Sequence, residues 1–200
     1  RPLTLGAVRA SSFTVKRSDD GDVASSDSAL LRRAREGDPG ALDELVALHQ
    51  NSAFRVALGV LGDEADAQDA AQDGMLRALK GLAGFRGDAS FRTWLLVIVA
   101  NEARSILRRR ARQRETPLDD ELPVESPAGG IAEGVVLGTE VARVRALLAR
   151  LPEKQRLAVQ LRVDEGLSFR EVGDVIGSSE GAARVNYHHG IRRMREWLKE

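Results

Sequence analysis

Two hundred residues, 42% of them hydrophobic, suffice for one or two packed domains. The chain has no cysteine and only three scattered histidines, which excludes disulfides and thiolate metal sites and leaves no metal-binding spacing. Thirty basic residues balance thirty acidic ones, so net charge alone says nothing about a polyanionic partner. Residues 1–27 are rich in serine and aspartate, show little periodicity, and are expected to form a flexible tail. They lack the apolar core of a secretory signal, and the longest apolar run, residues 94–100, is far short of the ~20 that span a bilayer. A cytoplasmic, reducing location is the expectation.

Helical signals begin at residue 28. A short helix over 28–36 closes at Gly37, and Asp38 followed by Pro39 starts a long helix to about Leu61. Gly62 and Asp63 repeat this stop-and-start signal for a third helix, 64–82. After a glycine loop at 84–88, Ser90 caps a fourth helix reaching about Arg112. Such short connections predict one bundle-like domain over 28–114. Residues 115–135, with three prolines and many acids, read as a linker. Helices resume near Val135 and run to Leu151, Pro152 opens another to about Asp164, and a helix-turn-helix completes a second domain over 136–200. No period-two strand pattern occurs. The fold class expected is all-α, two helical domains on a flexible acidic tether.

The sharpest motif is the last one. Ser168 and Glu171 form a capping box, Gly177 ends that helix, and Ser178 or Ser179 caps the next. In the final helix Ala183, Tyr187, Ile191, Met194 and Leu198 recur at helical spacing as an apolar stripe. One residue later, Arg184, His188, Arg192, Arg195 and Lys199 make a mostly cationic stripe suited to phosphates and base edges in a major groove. A solvated face on an ordinary helical hairpin is the plainer alternative.

In the third helix, Asp66, Asp69 and Asp73 share one face, while Ala65, Leu76 and Leu79 are expected toward the core. The acids suit either solvent and the helix dipole or a basic protein surface. In the fourth helix, Asn101, Arg104, Arg108 and Arg112 follow one side, a rigid cationic track for a phosphate backbone on which an asparagine is able to read a base edge. Residues 102–114 hold six arginines against one acid, whereas 115–140 hold seven acids and no lysine or arginine. That segregation suits separate surfaces for separate partners. Phe85, Phe91 and Trp94 flank the glycine loop. Phe91, Trp94 and Trp197 are expected in the core, and Phe85, between flexible residues, is expected to stack on an unpaired base. No catalytic constellation or phosphate-cradling glycine loop is present, so an enzyme is not expected.

The order of these motifs resembles the extracytoplasmic-function group of bacterial sigma factors. DAQDAAQDGMLRAL, residues 66–79, is similar to the segment that grips the clamp helices of core RNA polymerase. FRGDASFRTWLLVIVANEAR, residues 85–104, is similar to the segment that melts and reads the minus-ten element. LPEKQRLAVQLRVDEGLSFREVGDVIG, residues 151–177, with the basic helix after it, resembles the domain that reads the minus-thirty-five element. The resemblance runs from residue 28 to the end. It implies polymerase contacts at Asp66, Asp69, Gln72 and Asp73, and minus-ten contacts at Phe85, Asn101, Arg104 and Arg108. Ser179, Arg184, Val185, His188, His189 and Arg192 would serve the minus-thirty-five element. The implied partners are core RNA polymerase, at its clamp helices and flap, promoter DNA, and an anti-sigma protein, in this group often membrane-anchored. No cofactor, metal or small-molecule substrate is implied. The linker acids would mimic phosphates in a polymerase channel. Asn186 departs from a commonly basic position, so promoter sequence does not transfer. Two rival readings are a stand-alone helix-turn-helix regulator that never joins polymerase, and a module serving only protein partners.

Overall fold

The structure is a computed structural model that describes residues 18–115 and 139–199. In the N-terminal part, α1 spans Ser18–Arg35, α2 Pro39–Leu61, α3 Glu64–Lys80 and α4 Phe91–Glu115, with a single 3-10 turn at Leu82–Gly84. The boundary chemistry follows the sequence closely. Asp38 caps α2, its carboxylate accepting from the Gly40 N–H at 2.9 Å, and Gly62 ends it in the left-handed region at φ 76°. Asp63 caps α3 through the Asp66 N–H, and the Ser90 hydroxyl accepts from the Thr93 N–H at 3.1 Å at the start of α4.

The first helix departs from expectation. It starts at Ser18 and not at residue 28, so ten residues assigned to the tail are helical. Residues 1–17 lie outside the described part. Asp27, also placed in that tail, is buried with its carboxylate 2.8 Å from Nε2 of His49 on α2. A polar pair of this kind leaves no apolar periodicity to read. Beyond it Leu30 and Leu31 anchor α1 in the core.

Leu45, Leu95, Leu96 and Val99 are fully buried between α2, α3 and α4. The face of α3 turned inward is made of small residues, Ala67, Ala70, Ala71, Gly74 and Ala78, with Met75. A Cβ on Gly74 would meet Val99 Cγ2 at 2.7 Å and Val99 Cα at 3.0 Å, so the backbones of α3 and α4 nearly touch. This reverses an expectation. Ala65 and Leu76 face solvent, Leu76 at 53% exposure, and Leu79 is half-buried. The closer helix contact that small residues allow outweighs the hydrophobicity of leucine here.

The C-terminal part comprises α5 Thr139–Ala149, α6 Glu153–Val163, α7 Phe169–Ile176 and α8 Glu180–Trp197. The all-α expectation holds, with no strand among the described residues. The capping box of α7 is complete: the Ser168 hydroxyl accepts from the Glu171 N–H, and the Glu171 carboxylate accepts from the Ser168 N–H at 2.9 Å. Gly177 supplies the left-handed turn at φ 64°. Ala183 and Met194 are buried, Tyr187 and Ile191 half-buried, and Leu198 is 44% exposed. Trp197 is half-buried under the Arg150 guanidinium, 4.4 Å from its ring.

The expected tether, 115–135, falls almost wholly outside the described residues, and with it the phosphate-mimicking acids. The two helical domains also pack against each other. Leu157, Leu161, Leu167, Val172, Val175 and Ile176 join the residues of α2 and α4 in one continuous apolar core. Because α3 and α4 touch at Gly74, Gly74→Leu is expected to lower stability by about 1–3 kcal/mol in urea unfolding. A change within about 0.5 kcal/mol, typical of a surface site, would contradict this packing.

Candidate polymerase and promoter interfaces

Burying the small-residue side of α3 turns its opposite side outward. Asp69, Gln72 and Asp73 are all exposed there, next to Leu76. Beside them a groove of about 520 Å³ between α2 and α3 is lined by Val46, Phe54, Gln72, Met75, Leu76 and Leu79. The exposed acids thus lie near a groove whose lining is mostly apolar, with Gln50, Asn51, Gln68 and Gln72 as its polar members. A mostly apolar hollow edged by polar groups is the composition of a protein-docking surface. Asp66 is different: both its carboxylate oxygens accept from the Arg110 guanidinium at 2.5 Å. It braces α3 against α4 and is only partly available to a partner.

On α4 the expected track divides. Asn101 and Arg108 are exposed, as is Arg112 further along. Arg104 is not. Its side chain is 20% exposed, with Nε 2.9 Å from Glu153 and Nη1 3.2 Å from the Val175 carbonyl. Phe85 also departs from expectation: it is 8% exposed, its ring 5.1 Å from Trp94 and 5.9 Å edge-on to Phe91. Its carbonyl accepts from Arg35 at 2.7 Å. Aromatic rings spaced so closely in sequence bury one another, and flanking glycines do not prevent that. Phe91 and Trp94 pack as expected.

On α8 the outward stripe is Arg184, Val185, His188, His189 and Arg192, all exposed. Arg184 pairs with Glu180 at 2.9 Å and lies 5.2 Å over the Phe169 ring, which steadies its guanidinium without covering it. Ser179 caps α8 through the Ala182 N–H at 3.2 Å, so its hydroxyl is engaged. Asn186 donates to the Ala182 carbonyl at 2.9 Å. Gly173 lets α7 and α8 meet, since a Cβ there would lie 2.8 Å from the Ser178 carbonyl.

Between the two halves lies a polar seam that no local pattern announces. Glu165, 4% exposed, accepts from the Ser52 hydroxyl at 2.7 Å, from Arg55 Nε at 2.7 Å, and from Arg92. Thr93 donates to Glu171 at 2.9 Å, and Arg156 donates to the Gly59 carbonyl at 2.7 Å. Burial pushes the Glu165 carboxyl up, but hydrogen bonds from Ser52 and Arg55 and the charge of Arg92 outweigh it. The net direction is below the usual glutamate value. Glu171 behaves likewise, with burial opposed by Ser168 and Thr93.

Residues 45–113 match the family described as Sigma-70 region 2, and residues 142–194 match Sigma-70, region 4. The chain is 35% identical over 173 residues to the ECF RNA polymerase sigma factor SigM of Mycobacterium tuberculosis, covering 86% of this chain and 85% of that one. It is 32% identical over 174 residues to the RNA polymerase sigma-H factor of Pseudomonas aeruginosa, covering 79% and 86%. The chain belongs to the extracytoplasmic-function sigma factors. Among solved structures, CnrH in complex with the cytosolic domain of CnrY is 26% identical, with TM-score 0.62 over 87% of this chain and 97% of that one. RpoE of Bartonella quintana, in complex with the anti-sigma factor NepR, matches in fold at TM-score 0.62 and 20% identity, over 78% and 96%.

In this sigma factor the exposed faces of α3, α4 and α8 all fall inside the two matched segments. The seam residues Ser52, Arg55, Arg92 and Glu165 were missed in the sequence. Ser52 and Arg55 lie more than a hundred residues from Glu165, and Glu165 sits in a polar loop that reads as solvated. A carboxyl lowered in the folded state adds stability that is complete above its unfolded value, about 4.5, and is lost as pH falls through the native value. The unfolding free-energy gap between wild type and Glu165→Gln is therefore expected to be widest near neutral pH and to shrink below about pH 4.5. A gap independent of pH would contradict the assignment.

Proposed function

We propose that this sigma factor docks on core RNA polymerase through the Asp69, Gln72 and Asp73 face of α3 together with the adjoining apolar groove. In this reading the clamp helices of the polymerase supply the basic, partly apolar partner surface, and Asp66 contributes mainly by bracing α3 through Arg110. Asn101 and Arg108 hold the melted minus-ten strand. Phe85 supports the loop beside them from within its aromatic cluster and does not present a free ring. Arg184, Val185, His188, His189 and Arg192 enter the major groove at the minus-thirty-five element, with Ser179 fixing the start of their helix. The α6 to α8 unit also meets the polymerase flap. An anti-sigma protein covers the same α3 groove, as an acidic and apolar face open to solvent needs a partner in the resting state. The protein acts where core polymerase and promoter DNA are, in the cytoplasm, and carries out no bond chemistry itself.

One observation supports this reading above the others. An exposed Asp69, Gln72 and Asp73 face on α3 and exposed polar and cationic surfaces on α4 and α8 occur on one chain, in the order of the matched sigma segments. A stand-alone regulator needs α8 but not the α3 face, and a purely protein-binding module needs neither Asn101 nor Arg108. Two modest contacts joined on one chain gain effective concentration only when promoter spacing permits both.

Reconstitution with bacterial core polymerase and mapping of start sites tests the whole. The complex is expected to initiate at specific promoters, and failure to associate would overturn the proposal. Asp73→Lys is expected to weaken core binding about tenfold, near 1.4 kcal/mol, in a titration of fluorescent sigma. Asn101→Ala is expected to leave core binding intact while slowing promoter opening, read by permanganate reactivity of unpaired thymines. Normal opening by that variant would remove Asn101 from the site.

A further inference from the structure

Side chains from α6 and α8 gather round one aromatic ring that is not among the promoter-facing residues. Phe169 is the first residue of α7, half-buried directly after the Ser168 cap. The Arg162 guanidinium lies 5.1 Å from its ring and the Arg184 guanidinium 5.2 Å. The Tyr187 ring is 5.5 Å away and the His188 ring 6.4 Å. Tyr187 and His188 are themselves 5.3 Å apart, close to edge-on. Arg162 Nη1 donates to the Leu167 carbonyl at 2.8 Å, which ties that guanidinium to the loop before α7. The ring therefore carries a fixed cation from α6, while the exposed Arg184 and His188 lean on it from α8.

Phe169 has no side-chain hydrogen-bonding atom, so it cannot read a base edge by hydrogen bonding. Its neighbours can. A guanidinium over an aromatic face is held by the ring quadrupole and keeps all five N–H donors for other acceptors. The second restraint on Arg184 is of another kind. Its pair with Glu180, at 2.9 Å, has both partners more than half exposed, so salt screens it. That carboxylate also occupies Nη2, a nitrogen that a base or phosphate would claim. Selectivity depends on where donors stand. An arginine held in one orientation meets only the matching pair of acceptors, whereas a swinging one donates to several base edges and to phosphates.

We propose that Phe169 is a positioning residue for minus-thirty-five recognition, and this rests on the assignment of α8 to the major groove made above. Its ring sets the orientation of Arg184 and His188, and with it the strictness of base selection at the positions they face. Phe169 acts through these two side chains and makes no base contact of its own.

Holoenzyme reconstituted from core polymerase and the full chain is allowed to select among promoters with a randomised minus-thirty-five element. Sequencing the bound fraction gives base preference position by position. Arg184→Ala and His188→Ala mark the positions that each side chain reads. Phe169→Leu is expected to reduce preference at those positions about tenfold and to leave the others unchanged. Phe169→Tyr, which keeps an aromatic face, is expected to select as wild type does. Replacing Phe169 by pentafluorophenylalanine keeps a ring of similar size but reverses its quadrupole, so it decides the matter even where the leucine variant folds poorly. It is expected to lose preference at the Arg184 position. Adding Phe169→Leu to Arg184→Ala is expected to cost nothing further there. Uniform weakening at every position would overturn the positioning role and leave Phe169 as packing alone. So would undiminished preference in either the leucine or the fluorinated variant. If wild type selects sequences but Arg184→Ala and His188→Ala change no preference, the placement of α8 in the groove fails instead.

Discussion

The near-contact of α3 with α4 sets the rest of the molecule. A helix face of alanines and Gly74 lets two backbones approach until a single Cβ would collide with Val99. That approach decides which way α3 is rotated. With its small residues inward, Asp69, Gln72, Asp73 and Leu76 have only solvent to face. The same contact fixes α4, whose remaining sides carry Asn101 and Arg108 outward and Thr93 and Arg104 toward the C-terminal half. Two outward-facing surfaces and the seam between the halves are thus consequences of one rotation.

A polar seam accompanies the apolar contact where the halves meet. Glu165 is a carboxylate taken out of water, a costly placement that is tolerated because a hydroxyl and two guanidinium groups satisfy it. Such an arrangement is specific rather than strong. It aligns Ser52, Arg55 and Arg92 from two helices with one loop, beside the apolar contacts of Leu157, Leu161 and Val172 that the halves also share. The Asp66–Arg110 pair works the other way, within one half, where it holds α3 and α4 in register.

At Phe85, Arg104 and Leu76 the surroundings in space differ from those the neighbouring sequence implies, for one shared reason: the deciding partners lie on other elements. Glycines flank Phe85 in sequence, but two other rings lie within 6 Å of it in space. Arg104 continues a cationic stripe, but its side chain turns against Glu153 and the Val175 carbonyl. Leu76 is hydrophobic, but the alanine and glycine face permits closer packing and occupies the inside of α3. The early start of α1 escaped because Asp27 is held by a polar partner 22 positions away.

By itself the chain determined its helices, their caps and their order, since those depend on side chains reacting with backbone a few residues away. Asp38, Ser90, Ser168, Gly177 and Ser179 act within four positions, and the cationic face of α8 follows from helical spacing alone. Tertiary structure alone decided which groups are occupied. Whether a carboxylate at position 165 meets water or two arginines depends on segments distant along the chain, and no local periodicity encodes such a meeting.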